Sequence, residues 1–322
     1  MKIPVQYHNT FLPFLIVTKI MKKLITILLC SLSIQAFSQD DLMKMLENET
    51  KNQTEYTIAT FKGTRLINGQ TIETVGKNQL NFWISHRFGA LNTGFIENFF
   101  GLDEARIRLG LEYGINSQLT VGIGRSSQEK MYDFYAKYKL LRQSNNMPIT
   151  MTLYGSNAIS TVATGSSLES GTVMRYKDNL ERMTYTGQVL IARKFSERFS
   201  LQLMPTILHF NKAETTDTPN QMVALGVGGR VKLTKRLSIT GEYYYADFNR
   251  PASSLYNNSL ALGFDIETGG HVFQLHFTNS RGMIERQFIA QTTKSWSDGG
   301  IFYGFNIARS FSFDKKAKEL HK

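Results

Sequence analysis

Ten charged residues recur at alternate positions within stretches that are otherwise apolar. Arg106, Arg108 and Glu112 share one face of a stretch whose other face is Ile107, Leu109, Leu111 and Tyr113. Asp133, Lys137 and Lys139 alternate in the same way with Phe134, Ala136, Tyr138 and Leu140. Arg230 and Lys232 flank Val231, Glu242 sits beside Tyr243, and Asp265 follows Phe264. Successive side chains of a strand point to opposite faces, so each charged set occupies the face opposite the apolar one. Such a set suits two kinds of chemistry. A charged lining sets the selectivity of a pore, and six basic against four acidic residues would make it weakly anion-selective. Alternatively the charges pair with one another and fill a narrow interior.

Other chemistry finds little support. Ser85–His86 and His276 with Ser280 are the serine–histidine pairs open to a lipid hydrolase. Adjacent strand residues face opposite ways, which spoils the first pair, and no signature supports the second. The expectation is that the chain is not an enzyme. Six His, no close pair such as His-x-His and a single Cys give no metal-ligand cluster. The phosphate-loop, dinucleotide and EF-hand patterns are absent, so no cofactor is expected. The formal charge of +11 is spread along the chain, which argues against a nucleic-acid footprint.

Positioning these faces takes strands. Segments of about ten residues alternate apolar with polar and are separated by turn residues, about twelve in all, an even number. Their connections alternate in length. Short ones are expected at 114–118, 142–148, 196–198, 234–236 and 268–270. Long ones are expected at 89–104, 125–130, 157–183, 211–221, 247–258 and 279–300. Short turns on one side and long loops on the other are the mark of an outer-membrane barrel, with both termini in the periplasm. The competing fold is a soluble β-sandwich or lipocalin-like barrel. Three features oppose it. Glycines 110, 122, 124, 226, 228 and 263 would fill its core badly, charges share their face, and aromatics gather near strand ends.

The beginning of the chain carries a targeting signal. Met21-Lys22-Lys23 is a positive n-region, Leu24–Ile34 an apolar run, and Ala36-Phe37-Ser38 a small-residue cleavage motif. Cleavage is expected between Ser38 and Gln39. Cys30 lies inside the apolar run behind Leu29, which argues against lipidation. Residues 1–20 read as an upstream extension, with Met21 as the start. Residues 39–78 form a polar periplasmic segment in which Phe61–Val75 reads as a hairpin around Asn68-Gly69. That segment either plugs the barrel, docks a periplasmic partner or serves as a linker. The barrel is expected over 79–313 and a short tail over 314–322. Pro205 predicts a bulge or shortened pairing, and Arg309 a lipid-side cation near the headgroups.

Several separated segments are similar to an uncharacterised β-barrel family of Bacteroidota outer membranes. They are TFKGTRLINGQTIETVGKNQLNFWISHRFG (Thr60–Gly89), GLDEARIRLGLEYG (Gly101–Gly114), IGRSS with the downstream KYKLLRQ, and NSRGMIERQFI (Asn279–Ile289). The resemblance implies an outer-membrane barrel and no activity. The reading is therefore an all-β, transmembrane, antiparallel up-and-down barrel that serves as a channel for small solutes. A surface or structural barrel is the alternative, and a lipid-active enzyme the third. Its expected partners are outer-membrane lipid and the barrel assembly machinery.

Overall fold

Alternation with period two requires a sheet with two unlike sides, and in the computed structural model the sheet obtains them by closing on itself. The structure describes residues 54–167, 171–213, 219–246, 255–268 and 270–313. The 21–38 signal with its Ser38–Gln39 cleavage point, residues 1–20, residues 39–53 and the tail 314–322 lie outside the described residues.

Twelve strands follow one another: β1 (Gln79–Ala90), β2 (Ala105–Gly114), β3 (Leu119–Ser126), β4 (Met131–Leu141), β5 (Thr150–Ser160), β6 (Met183–Lys194), β7 (Phe199–Phe210), β8 (Gln221–Lys232), β9 (Leu237–Tyr245), β10 (Ser259–Thr268), β11 (His271–Thr278) and β12 (Phe302–Ser312). Each pairs antiparallel with its neighbours in sequence, and β12 returns to β1 with Gln79 opposite Ser312 and Trp83 opposite Ala308. Closure leaves no unpaired strand edge.

The two faces differ as the alternation requires. In β2, Arg108, Gly110 and Glu112 are buried, while Ile107, Leu109 and Leu111 are exposed. The same holds around the barrel, where Phe134, Leu153, Leu203, Val223, Ile239, Phe264 and Leu275 all point outward. A continuous apolar outer wall is costly in water and favourable in lipid. Outward aromatics stand near both ends of the wall, with Tyr138, Phe199 and Phe311 at the short-turn end and Tyr132, Tyr185 and Tyr245 at the other. Arg309 is also outward at the short-turn end, with its guanidinium 4.9 Å from the centre of the Phe311 ring.

One local feature differs from the sequence expectation, and a second takes one of the two forms expected of it. The connection expected to be long around 125–130 is a four-residue turn, because β3 runs on to Ser126 and β4 begins at Met131. Glu129 (φ 51°) and Lys130 (φ 44°) take left-handed backbone angles, which close the turn in so few residues. Pro205 makes no bulge. Pairing of β6 with β7 lapses between Gln188–Thr206 and Ile191–Leu203 with the register unchanged, since proline has no N–H to give. Gln188 Nε2 donates to Thr206 Oγ1 at 2.9 Å nearby, which restores one cross-strand link.

Candidate functional site

The lumen is occupied by the chain itself. Residues 56–60 run in at the short-turn end, where Thr57 N donates to Gln143 O at 2.8 Å and Tyr56 bridges to Ser144. Thr60–Val75 then rises into the barrel as an irregular hairpin and returns to β1. Its backbone-to-backbone ties are Leu66 N to Gly69 O (2.8 Å), Thr71 N to Thr64 O (2.9 Å) and the bridge between Arg65 and Gln70. The hairpin expected over Phe61–Val75 is present, but its two-residue turn is Ile67-Asn68 and not Asn68-Gly69. Neither Asn68 nor Gly69 adopts the positive φ that the expected turn needs. The wall sets the tip instead. Glu242 accepts the amide hydrogens of Ile67 (3.2 Å), Asn68 (2.8 Å) and Gly69 (3.0 Å).

The remaining backbone of the hairpin also bonds to wall side chains. A backbone that forms no regular ladder must find partners elsewhere once buried. Gln202 of β7 works as an amide clamp, taking Ile72 N at 2.9 Å and giving to Gln70 O at 2.7 Å. Lys137 Nζ of β4 donates to Thr64 O (2.6 Å) and Thr71 O (3.3 Å). Thr152 Oγ1 gives to Ile72 O, and Thr120 Oγ1 takes Val75 N, both at 2.9 Å. Gln274 Nε2 reaches Leu66 O at 2.5 Å, and Asn306 Nδ2 reaches Ile67 O at 2.9 Å. Arg87 of β1 bonds to the Asn68 side chain. Each such bond is worth roughly 0.5–1.5 kcal/mol net, more where charge is involved. Apolar packing adds to them: Phe61, Leu66 and Ile72 join Leu190, Met204, Leu208 and Phe288 in one buried cluster.

The ten residues singled out in the sequence all carry inward register, and five of them, Glu112, Lys137, Lys139, Arg230 and Glu242, bond to this hairpin. Glu112 is buried and accepts from Thr64 Oγ1 (2.5 Å), Tyr135 OH (2.7 Å) and Trp83 Nε1 (3.0 Å). Arg108 and Asp133 form a fully buried two-pronged ion pair, with Nε to Oδ1 at 3.0 Å. Lys139 pairs with Glu73 at the base of the hairpin at 3.3 Å. Arg230 binds Ser238 Oγ from Nε (3.0 Å) and Nη2 (2.9 Å). Asp265 accepts from Gln274 Nε2 (2.9 Å) and Thr240 Oγ1 (3.3 Å). Lys232 stands half-buried at the short-turn rim and Arg106 half-buried at the opposite rim. The charges thus include both an internal ion pair and a seat for the hairpin. Charge alternation does not single out Arg87, Thr120, Thr152, Gln202, Gln274 and Asn306, which also hold the hairpin. Five of these are uncharged, and their only signal is inward register beside residues that were chosen for charge.

A second segment closes the other end. The β11–β12 connection folds inward, and Met283–Ala290, which includes the π-helical turn Arg286–Ala290, is buried. The two segments meet where Gln70 Nε2 donates to Glu285 Oε1 at 2.9 Å. Phe288 packs edge-on to Tyr244, with ring centres 5.2 Å apart. The sequence predicts a long loop here, and the chain instead forms a stopper. Met283, Ile284, Phe288 and Ile289 were the available sign, since an exposed loop gains nothing from four large apolar side chains.

Close fit explains Gly69. A Cβ there would collide with the Tyr244 hydroxyl and crowd the Glu242 carboxylate. Gly69→Val is expected to cost about 1–3 kcal/mol and to lift the tip. Limited trypsin digestion in detergent reads this, because Lys62 and Arg65 lie in the seated hairpin. Unchanged protection at both would rule the crowding out.

The serine–histidine pairs do not assemble. Ser85 is buried inside while His86 stacks outside on Phe305, ring centres 5.1 Å apart. Ser280 Oγ donates to Gly282 O at 3.4 Å, and neither ring nitrogen of His276 has a hydrogen-bond partner. Among the described residues, no group of three or more His, Cys, Asp or Glu could hold a metal ion.

Comparison with curated proteins gives no sequence match. Among solved structures, the fold is similar to the NanC porin (8% identity, TM-score 0.45, covering 73% of this chain and 100% of that one). It is similar to the KdgM porin (10%, 0.43, 72% and 99%). It is also similar to outer membrane phospholipase A from Escherichia coli (10%, 0.41, 71% and 89%). At such identities the likeness is one of barrel architecture. A family profile matches residues 61–311, beginning at the foot of the hairpin and ending in the last strand, so hairpin and barrel fall within one domain. The chain belongs to the membrane-bound beta barrel domain family, DUF5777.

Proposed function

We propose that this protein is an outer-membrane conduit for small solutes that its own N-terminal hairpin holds shut. One observation carries the reading: the polar lining of the lumen bonds to the backbone of Thr60–Val75. Carboxylate, ammonium and amide groups that now bind peptide groups can bind water equally well when the hairpin leaves. A barrel built to stay solid can be filled by apolar side chains of its own wall, without an inserted segment whose buried backbone needs polar partners. In this reading the protein is not an enzyme, its surroundings are outer-membrane lipid, and the barrel assembly machinery inserts it. A barrel that never transports is the second reading, favoured by the apolar cluster that Phe61, Leu66 and Ile72 share with the wall.

Glu242→Gln tests the proposal. The variant keeps the shape of the side chain but turns one acceptor oxygen into a donor facing amide hydrogens. The intact protein in a planar bilayer is expected to be silent, and the variant to show brief openings. Identical traces from the two proteins, silent or conducting, would count against a gate held at the hairpin tip.

A further inference from the structure

Two cations at the long-loop end have no partner among the described residues. Arg106, at the start of β2, makes no ion pair or hydrogen bond through its side chain among the described residues, and its Nε is shut off from solvent without an acceptor. Lys130, in the β3–β4 turn, likewise has no side-chain partner among the described residues. Both line one recess of about 330 Å3 with Arg281 of the β11–β12 connection, Ser127 and Ser167.

The neighbouring charges do not cancel these two. Arg281 pairs with Glu104, and Arg286 stands 3.7 Å from Glu129. Glu129 also lines the recess, so among the described residues each of its two neighbouring carboxylates has an arginine beside it, and Arg106 and Lys130 remain as two further positive charges. Leaving a guanidinium Nε dry and unbonded costs free energy that an anion would recover. The turn that presents Lys130 holds two consecutive non-glycine residues in left-handed conformation, a strain that persists only when its surroundings enforce it. The Ser127 hydroxyl accepts Ile107 N at 3.0 Å, so its own hydrogen is free to be donated into the recess.

We propose that this recess is an anion site for a phosphate group, bound by Arg106 and Lys130 with the Arg281 guanidinium and the Ser127 hydroxyl alongside. A guanidinium offers two parallel donors to a tetrahedral oxyanion, and an ammonium adds a compact charge. The phosphate belongs either to a soluble solute or to the headgroup of a phosphorylated outer-leaflet lipid. The site lies at the rim and does not depend on whether the lumen opens.

The test uses the full-length protein in a neutral detergent. Inorganic phosphate is titrated calorimetrically, and native mass spectrometry reads phosphorylated lipid retained from the membrane. The double variant R106Q/K130Q is expected to weaken either signal about tenfold or more, and Arg106→Lys to keep part of it. Lys235→Gln, in a turn at the opposite end, should change nothing. Should the double variant fail to refold, as judged by heat-modifiable gel mobility, Lys130→Gln alone at its exposed turn gives the answer with a smaller loss. A calorimetric signal without retained lipid assigns the site to soluble anions, and retained lipid lost in the variant assigns it to a headgroup. Absence of both signals in the wild type, or equal signals in wild type and variant, overturns the proposal.

Discussion

Deleting residues 39–77 is expected to turn a silent barrel into one that passes ions in steady steps. The deletion spares Asn78, whose N–H bonds to Gly114 O and whose carbonyl accepts from Phe313 N, so the closure of β1 on β2 and β12 is kept. What it removes is every peptide group that Glu242, Gln202, Lys137, Gln274 and Asn306 now hold. Those side chains then need water, and hydrating them opens the lumen. The β11–β12 segment remains as a second stopper, although it loses the Gln70–Glu285 bond that ties it to the hairpin. A second variant that also lacks residues 283–290 separates the two contributions. Steps from the first deletion make the hairpin the main closure. Steps only from the double deletion divide closure between the two segments. Silence from both folded variants refutes the conduit, and steps of equal size from the intact chain refute the plug.

Asp133→Asn is expected to destabilise the barrel by about 3–5 kcal/mol, because it strands the Arg108 guanidinium in a dry interior. Both side chains of the pair are almost fully buried, at 1% exposure each. Gly124 of β3, the strand between theirs, faces them without a side chain, so their room is made by the intervening strand. Urea unfolding of refolded protein in detergent, followed by tryptophan fluorescence, measures the loss. Replacing both partners by Met should cost far less, since no orphaned charge remains. A loss below about 1 kcal/mol for Asp133→Asn would mean that water reaches the pair, as it does for exposed ion pairs. The lumen would then be wet at that level, and the closed state would need revision.

Much of this architecture was legible because a strand's side-chain period is local. The alternation of Ile107, Leu109 and Leu111 with Arg108, Gly110 and Glu112 needs only neighbouring residues to declare two faces. Twelve such segments joined by turns of alternating length then require a closed sheet. The hairpin at Phe61–Val75 was also visible, but its place in the lumen was only one of three readings of its role. Its exact turn was hidden, because Glu242 lies far along the chain and overrides the preference of Asn68-Gly69. The tight β3–β4 turn was missed since Gln128-Glu129-Lys130 contains no glycine to mark it.

The sequence by itself determined that this is a barrel with an apolar outside and a polar inside, because lipid and lumen each impose one side of a two-residue rhythm. Tertiary structure alone decided what the inside does. A carboxylate facing inward can line a pore, pair with an arginine or cap a turn, and its own neighbours in sequence are the same in all three cases. Asp133 pairs with Arg108, Glu242 caps the hairpin, and Arg106 at the rim keeps its charge uncompensated, because strands distant in sequence bring different groups to each. Contacts of that kind depend on closure of the whole sheet, which no local pattern encodes.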